Sequence, residues 1–173
     1  MLRPCLLDTS IVLSFTGVGR FDVIGQDGRY EWFVTPIVRS ELIRPADRGP
    51  VDDAIANGRV HLAAIDNANE LELREWASWS AVVDPGEAEA IAVAVSRGWI
   101  VAIEDLRAQR ALDRAVGRGR WLNSANVLLG AIRDGRLPID QADSIFRSLD
   151  CYLGYQKRGI STLSQLASWL KLR

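Results

Sequence analysis

Two aspartates follow short apolar segments of the chain, at positions where parallel strands commonly present ligand-binding groups. Asp8 ends the segment 4–8, and Asp105 follows the segment 99–103. Both segments are predicted to be buried strands of a parallel sheet. Ligands bind beyond the carboxyl ends of such strands, and carboxylates suit a hard divalent cation. We therefore expect Asp8 and Asp105 at one edge of a sheet, where they could hold a metal ion.

A structural alternative exists for both aspartates. Each begins the turn into a predicted helix, and an aspartate there commonly accepts the first amide hydrogen bonds of the helix. Two anions held close together repel each other unless a cation lies between them. Capping and metal binding both remain open for Asp8 and Asp105.

Glu41 belongs to a helix that is predicted to begin at Thr35-Pro36 and to stop before Pro45. It lies four residues after Ile37 and so close to the buried face, where a carboxylate needs a partner. That partner could be a metal ion or, alternatively, Arg39 or Arg44 in an ion pair.

Glu87 also has two interpretations. The segment Asp84-Pro85-Gly86-Glu87 matches a capping box, in which the glutamate reaches back to the amide of the capping residue. Periodicity does not distinguish this role from metal binding. Glu89, two positions later, is expected to face elsewhere.

The composition argues against other chemistries. The chain has one histidine, His61, and two cysteines, Cys5 and Cys151, so Cys/His zinc sites and nucleophilic triads would require more of these residues or a fortunate placement of one. The formal net charge is −1 and the pI about 5.9, which argues against a broad basic face for duplex DNA. Hydrolytic chemistry in this chain would depend on carboxylates and a hard metal ion.

Strands and helices alternate along the sequence, which predicts an α/β fold with a parallel sheet between helices. The predicted strands are 4–8, 31–34, 59–65, 99–103 and 120–121. The predicted helices begin near Ser10 and Thr35 and then cover 50–57, 67–79, 84–98, 106–116, 124–134, 138–149 and 160–172. We expect a single domain over 1–173, with a helical tail at 151–173, no membrane span, no signal peptide and a cytoplasmic location.

Four segments together resemble the PIN-domain family, in the branch with a GEAEAIALA-like helix that is grouped with the VapC-type toxins. They are LLDTS at 6–10, TPIVRSEL at 35–42, GEAEAIAVA at 86–94 and IED at 103–105. The resemblance covers roughly residues 4–150. It implies a three-layer α/β/α sandwich with a central, mostly parallel sheet, and a ribonuclease that cleaves single-stranded RNA with Mg²⁺ or Mn²⁺.

The resemblance also implies the site residues. Asp8, Glu41, Glu87 and Asp105 would be the catalytic acids and metal ligands, with Glu104 as an alternate for the last. The chain departs from the family where relatives usually have a Gly-Thr-x-Gly turn, because it has Asn-Ser-Ala-Asn at 123–126. Ser124 keeps the hydroxyl and is a further candidate, or else a helix N-cap. Asparagine tolerates left-handed backbone, so the turn is expected to persist.

Partners follow from the same resemblance. Single-stranded RNA would contact Arg107 and Arg110, which begin a basic stretch, unless these arginines form a solvated helix face. A small antitoxin protein and a second copy of the chain are the other expected partners. An apolar stripe in the tail could contribute to a homodimer or pack on its own domain: Leu163, Leu166, Trp169 and Leu170. The alternative function is a non-catalytic binding or regulatory module on the PIN scaffold, with the acids as caps and ion pairs.

Overall fold

A parallel sheet forms the centre of the molecule. The computed structural model describes residues 1–26, 28–149 and 151–171, with the backbone alone at 152–153 and 169–171. In this part of the chain the sheet has five strands in the order β3-β2-β1-β4-β5, and all neighbouring strands run parallel. The strands are β1 (Arg3–Leu7), β2 (Tyr30–Val34), β3 (Val60–Leu62), β4 (Ile100–Ala102) and β5 (Trp121–Leu122).

Helices connect the strands and follow the last one. A short 3₁₀ helix lies at Phe21–Val23. The α-helices are α1 (Thr9–Gly17), α2 (Pro36–Glu41), α3 (Pro45–Ala56), α4 (Glu70–Ser80), α5 (Pro85–Arg97), α6 (Leu106–Val116), α7 (Ser124–Arg133), α8 (Ile139–Ser148), α9 (Tyr152–Gln156) and α10 (Leu163–Lys171). Among the described residues, none of these helices has the length and apolar character needed to cross a bilayer.

The two faces of the sheet are covered by different helices. Cys5 and Leu7 of β1 pack with side chains of α1, α3, α7, α8 and α10. Leu6 points to the opposite face and packs with side chains of α4, α5 and α6. Alternate side chains of a strand point to opposite faces, so both faces of β1 are buried. The predicted α/β class, with a parallel sheet between two helix layers, is confirmed.

The strand order places the ends of β1 and β4 side by side. The chain passes from β1 to β2 and β3 on one side, then returns to β4 and β5 on the other. Leu7 is opposite Ala102, and the backbone amide of Asp8 donates to the carbonyl of Ala102 at 3.0 Å. The carboxyl edge between β1 and β4 is therefore the topological switch point, where ligands of open parallel sheets bind.

Helix α5 lies close to this edge because its sequence lets it approach the sheet. Its alanines at 88, 90, 92 and 94 are all buried. Pro85 occupies the first helical position, and Gly98 ends the helix with a φ of +71°. The predicted helix boundaries here are confirmed, because a proline start and a left-handed glycine end are local signals.

Several predicted boundaries were wrong. Helix α3 begins at Pro45 rather than at residue 50, and it continues through Pro50. Its first turn is held by Asp47, which accepts hydrogen bonds from Thr16 at 3.0 Å and from Arg44 at 2.6 Å. Strand β3 is also shorter than the predicted 59–65, and it pairs with β2 alone at the edge of the sheet.

The tail packs on its own chain through the described part of its apolar stripe. Leu163 is 0% exposed and Leu166 is 1% exposed, and both belong to the core that includes α7 and α8. The side chains of Trp169 and Leu170 lie outside the described residues. The helix begins at Leu163 rather than at residue 160. These two leucines are therefore used within the chain.

Candidate active site

Asp8 is the most buried of the candidate acids. Its side chain is 0% exposed and caps α1, with Oδ2 accepting hydrogen bonds from the Ser10 amide at 2.9 Å and from the Ser10 hydroxyl. The other oxygen, Oδ1, is buried and accepts no hydrogen bond from the described residues. Burial raises the pKa of Asp8, the bonds from Ser10 oppose this change, and the charge of Glu41 adds to it. The interpretation of Asp8 as a helix N-cap is confirmed, and its Oδ1 remains without a hydrogen-bond partner among the described residues.

Glu41 is held by hydrogen-bond donors from two other segments. One carboxylate oxygen accepts from the Thr9 hydroxyl, and the other accepts from the Gly86 amide at 3.1 Å, near the start of α5. The alternative of an ion pair with Arg39 or Arg44 was wrong, because both arginines pair with aspartates of α3. Glu41 thus joins α1, α2 and α5 at one point.

Glu89 makes the reciprocal contact between α2 and α5. Its side chain is 5% exposed and accepts from the Ile37 amide at 3.1 Å, in the first turn of α2. Each of the two helices therefore supplies a carboxylate to an amide near the start of the other. Glu89 faces away from Glu87 as expected, but its contact with the start of α2 was not predicted from the sequence. The available signal was a glutamate within a run of buried alanines, where a charge needs a partner.

Glu87 interacts electrostatically with both Asp8 and Asp105. The Asp84 side chain makes no capping bond, so the predicted capping box is not formed as expected. Burial, followed by the charges of Asp8 and Asp105, raises the pKa of Glu87 to about 7. Repulsion of this kind requires carboxylates that lie close together. Acids from three separate segments therefore share this edge of the sheet.

Asp105 and Glu104 are adjacent in sequence but turn to different sides. Asp105 caps α6 by accepting from the Ala108 amide at 2.7 Å, which confirms its capping interpretation. It lines a cavity of about 320 Å³ together with Glu87 and Arg107. Glu104 accepts from the Ser124 amide at 2.6 Å. Its own amide donates to the Ser10 hydroxyl at 3.1 Å, which connects it to Asp8.

The asparagine turn works differently from the expectation. Asn123 caps α7, and it exchanges two hydrogen bonds of 3.0 Å with Asn126. Ser124 is therefore not the N-cap as proposed, but the first residue of the helix. The φ of Asn123 is −119°, and no described residue other than glycine has a positive φ. The segment therefore turns with extended backbone at Asn123 and does not use the left-handed conformation that asparagine tolerates.

Two buried oxygens at this edge suit a hard cation. They are Oδ1 of Asp8 and Oγ of Ser124, and neither has a hydrogen-bond partner among the described residues. Oxygen donors of this type are what Mg²⁺ and Mn²⁺ prefer. As the side chains stand, no three His, Cys, Asp or Glu residues in the described part of the chain could hold one metal ion. Binding of one metal ion by three carboxylates would therefore require at least one of them to move.

Arg107 and Arg110 lie one turn apart on α6 and are exposed. Neither forms an ion pair with a described residue. Arg107 lines the same cavity as Glu87 and Asp105, so positive and negative groups stand side by side there.

Comparison with known proteins adds no family to this description. No protein-family model matches the chain, and a search of curated proteins found no match either. The fold and the site define a class only: an α/β protein in which acidic side chains meet at the switch point of a parallel sheet.

Gly86 tests the contact between α5 and Glu41. A Cβ on Gly86 would lie 2.6 Å from Oε1 and 2.7 Å from Cδ of Glu41, so Gly86→Ala must displace this carboxylate. We expect the lost hydrogen bonds to cost about 1 kcal/mol of unfolding free energy and to offset any gain in helix propensity. Urea unfolding measures the change.

Gly17→Ala is the matched control, because Gly17 lies in α1 with no positive φ, and a Cβ added there would meet no atom within 4 Å outside its own helix and chain neighbours. This variant should gain about 0.5 to 1 kcal/mol. Equal stabilisation of both variants would show that Glu41 is not held by this contact.

Glu87 should make the stability of the metal-free protein depend on pH. Its pKa of about 7 exceeds the ordinary 4.5, so the folded state binds more protons than the unfolded state between these values. This contribution to stability is complete below pH 4.5 and is lost as the pH rises through 7. Because Glu87 is partly exposed and screened, we expect unfolding in EDTA to become easier by only about 1 to 2 kcal/mol between pH 5.5 and 8.

Glu87→Gln should reduce this pH dependence, and Glu70→Gln, at an exposed position of α4, should leave it unchanged. Equal slopes for wild type and Glu87→Gln would contradict the assignment of the raised pKa to Glu87.

Proposed function

We propose that this chain is a metal-dependent endoribonuclease of PIN type that hydrolyses single-stranded RNA with Mg²⁺ or Mn²⁺. The observation that carries the proposal is the meeting of Asp8, Glu87 and Asp105 at the carboxyl edge between β1 and β4. The order of the acidic segments along the chain, which resembles that of PIN domains, supports it.

The acids would have different roles in binding the cation. Asp8 and Asp105 would be its direct ligands, while Glu41 and Glu87 would be ligands or would hold its waters, with Glu104 as the alternate for Asp105. When bound, the metal ion lowers the pKa of a water and neutralises charge on the leaving oxygen. Ser10 fixes the orientation of Asp8, and Thr9 fixes that of Glu41, so both carboxylates are positioned before substrate arrives.

The substrate would be held by arginines of α6. Arg107 and Arg110 would contact phosphates next to the acids, and Arg114 extends the same exposed row by one further turn. Guanidinium groups along a helix can contact successive phosphates of a single strand, which has no double-helical groove for a protein to recognise.

The resemblance also supports a biological setting. We propose a toxin of a toxin–antitoxin pair, bound by a small antitoxin protein and forming a homodimer. Co-purification with the product of the neighbouring reading frame tests the first partner, and sedimentation of the isolated chain tests the second. A chain that purifies without this product when both are expressed together would contradict the first proposal. A monomer in sedimentation would contradict the second.

Asp8→Asn is the direct test of the nuclease. Asparagine is an equally good N-cap, so α1 and the melting temperature should change little, while one charge of the site is removed. We expect cleavage of a single-stranded RNA in Mn²⁺ to fall by at least about 100-fold, in line with the loss of a charge that stabilises the transition state.

Asp53→Asn is the matched control, since Asp53 is an exposed aspartate of α3 that does not line the cavity of Glu87 and Asp105. It should cleave at the wild-type rate. Undiminished cleavage by Asp8→Asn would remove Asp8 from the mechanism.

A non-catalytic binding module is the second candidate function. It is favoured by one observation: Asp8, Glu41 and Asp105 each already accept a hydrogen bond from a backbone amide. In that case the acids would serve the fold alone.

Metal titration distinguishes the two functions. A metal-binding site stabilises the folded state by about 2.7 kcal/mol when free Mn²⁺ is 100-fold above its dissociation constant. We expect the melting temperature of the wild type to rise with millimolar Mn²⁺ at pH 7.5 and that of Asp8→Asn to rise less. No rise in the wild type would favour the binding module.

A further inference from the structure

A second and larger cavity, of about 750 Å³, opens next to the acidic residues between α1, α6 and α9. Its lining includes Ser10 and Glu104, which are hydrogen-bonded to each other and, through the Ser10 hydroxyl, to Asp8. Pockets for small ligands commonly measure about 300 to 1,000 Å³. The cavity therefore has room for a ligand that also reaches the site of the proposed chemistry.

One part of the cavity wall is apolar. Leu13 of α1 is 38% exposed and Leu106 of α6 is 57% exposed, and both line this cavity together with Tyr155 of α9. Leu106 directly follows Asp105. Large apolar side chains from separate elements that face one cavity provide a surface for a flat apolar group.

Tyr155 adds a hydrogen-bond donor to this wall. Its hydroxyl oxygen accepts from the Asn123 side-chain amide at 2.9 Å. Burial raises the pKa of Tyr155 to about 12, so the hydroxyl keeps its proton at neutral pH. No described residue accepts that proton, which is therefore available to an acceptor on a ligand.

Two arginines bring positive charge to the cavity. Arg44 has a side chain that is 72% exposed, and its Nε is held by Asp47 at 2.6 Å. Arg158 follows α9 and is exposed. Guanidinium groups of this kind bind phosphate oxygens.

We propose that this cavity binds one nucleotide of the RNA strand next to the bond that is cleaved. Its base would lie against Leu13, Leu106 and Tyr155, and its phosphate would be bound by Arg44 and Arg158. The inference rests on the proposed function, which it deepens by assigning a nucleotide subsite. Tyr155 and Arg158 lie beyond residue 150, so the tail would supply two of the five residues of this subsite.

The chemistry of the cavity favours a nucleotide over a segment of a partner protein. A nucleotide combines a flat apolar ring, hydrogen-bonding edges and one phosphate, and each has a counterpart here. A partner helix would need an apolar stripe over several turns, with anchors at i, i+3, i+4 and i+7. The apolar side chains of this wall come one each from α1, α6 and α9 and do not form such a stripe.

Binding without cleavage is the test. A fluorescently labelled single-stranded RNA hexamer is titrated with the full chain in EDTA, and the dissociation constant is read from anisotropy. We expect Tyr155→Phe and Leu106→Ala each to weaken binding about fivefold. Arg158→Gln should lower the slope of log K against log salt by about 0.7, the effect of one phosphate contact on a single strand.

Leu71→Ala and Arg133→Gln are matched controls, because both residues are exposed and lie outside the cavity. Their binding should equal that of the wild type, and all variants should melt like the wild type. Wild-type affinity in all three cavity variants would overturn the inference. So would an acidic peptide that binds in place of RNA and is weakened by the same substitutions.

The two proposals fail in distinguishable ways. RNA binding that depends on Tyr155 and Arg158, without cleavage in Mn²⁺, would support the subsite and contradict the nuclease. Cleavage that persists while the cavity variants bind RNA normally would support the nuclease and contradict the subsite.

Discussion

The hydrogen bond from the Asp8 amide to the Ala102 carbonyl, 3.0 Å long, holds together the two strand ends on which the site depends. It extends the pairing of β1 with β4 by one residue beyond Leu7. The Ser10 hydroxyl then joins the Asp8 carboxylate to the amide of Glu104. Because these bonds fix the two strands in register, acids almost a hundred residues apart in sequence stand beside each other.

Backbone amides, rather than basic side chains, orient the acids. Asp8 and Asp105 bind amides of the helices that they begin, and Glu41 binds an amide at the start of α5. Amides near helix starts carry partial positive charge, which favours carboxylates there. In the described part of the chain, none of these acids forms an ion pair. These acids are thus oriented without being paired with basic side chains.

The sequence was informative wherever the signal was local. The helix start at Thr35-Pro36, the helix end at Gly98 and the caps at Asp8 and Asp105 are all present as predicted. Such features depend on a few neighbouring residues, so they can be read without knowledge of the fold. Boundaries failed where distant contacts decide, as at α3, whose first turn depends on Thr16.

The sequence by itself determined the α/β alternation, the apolar strands and the acids that follow two of them, because periodicity and capping are short-range properties. Only the tertiary structure decided which donors hold Glu41 and Glu89, which oxygen of Asp8 stays unpaired, and that the tail reaches Asn123 through Tyr155. These contacts join residues that are 32 to 52 positions apart. They exist because packing brings separate helices to one edge of the sheet. No local sequence pattern predicts which residues so far apart along the chain will meet.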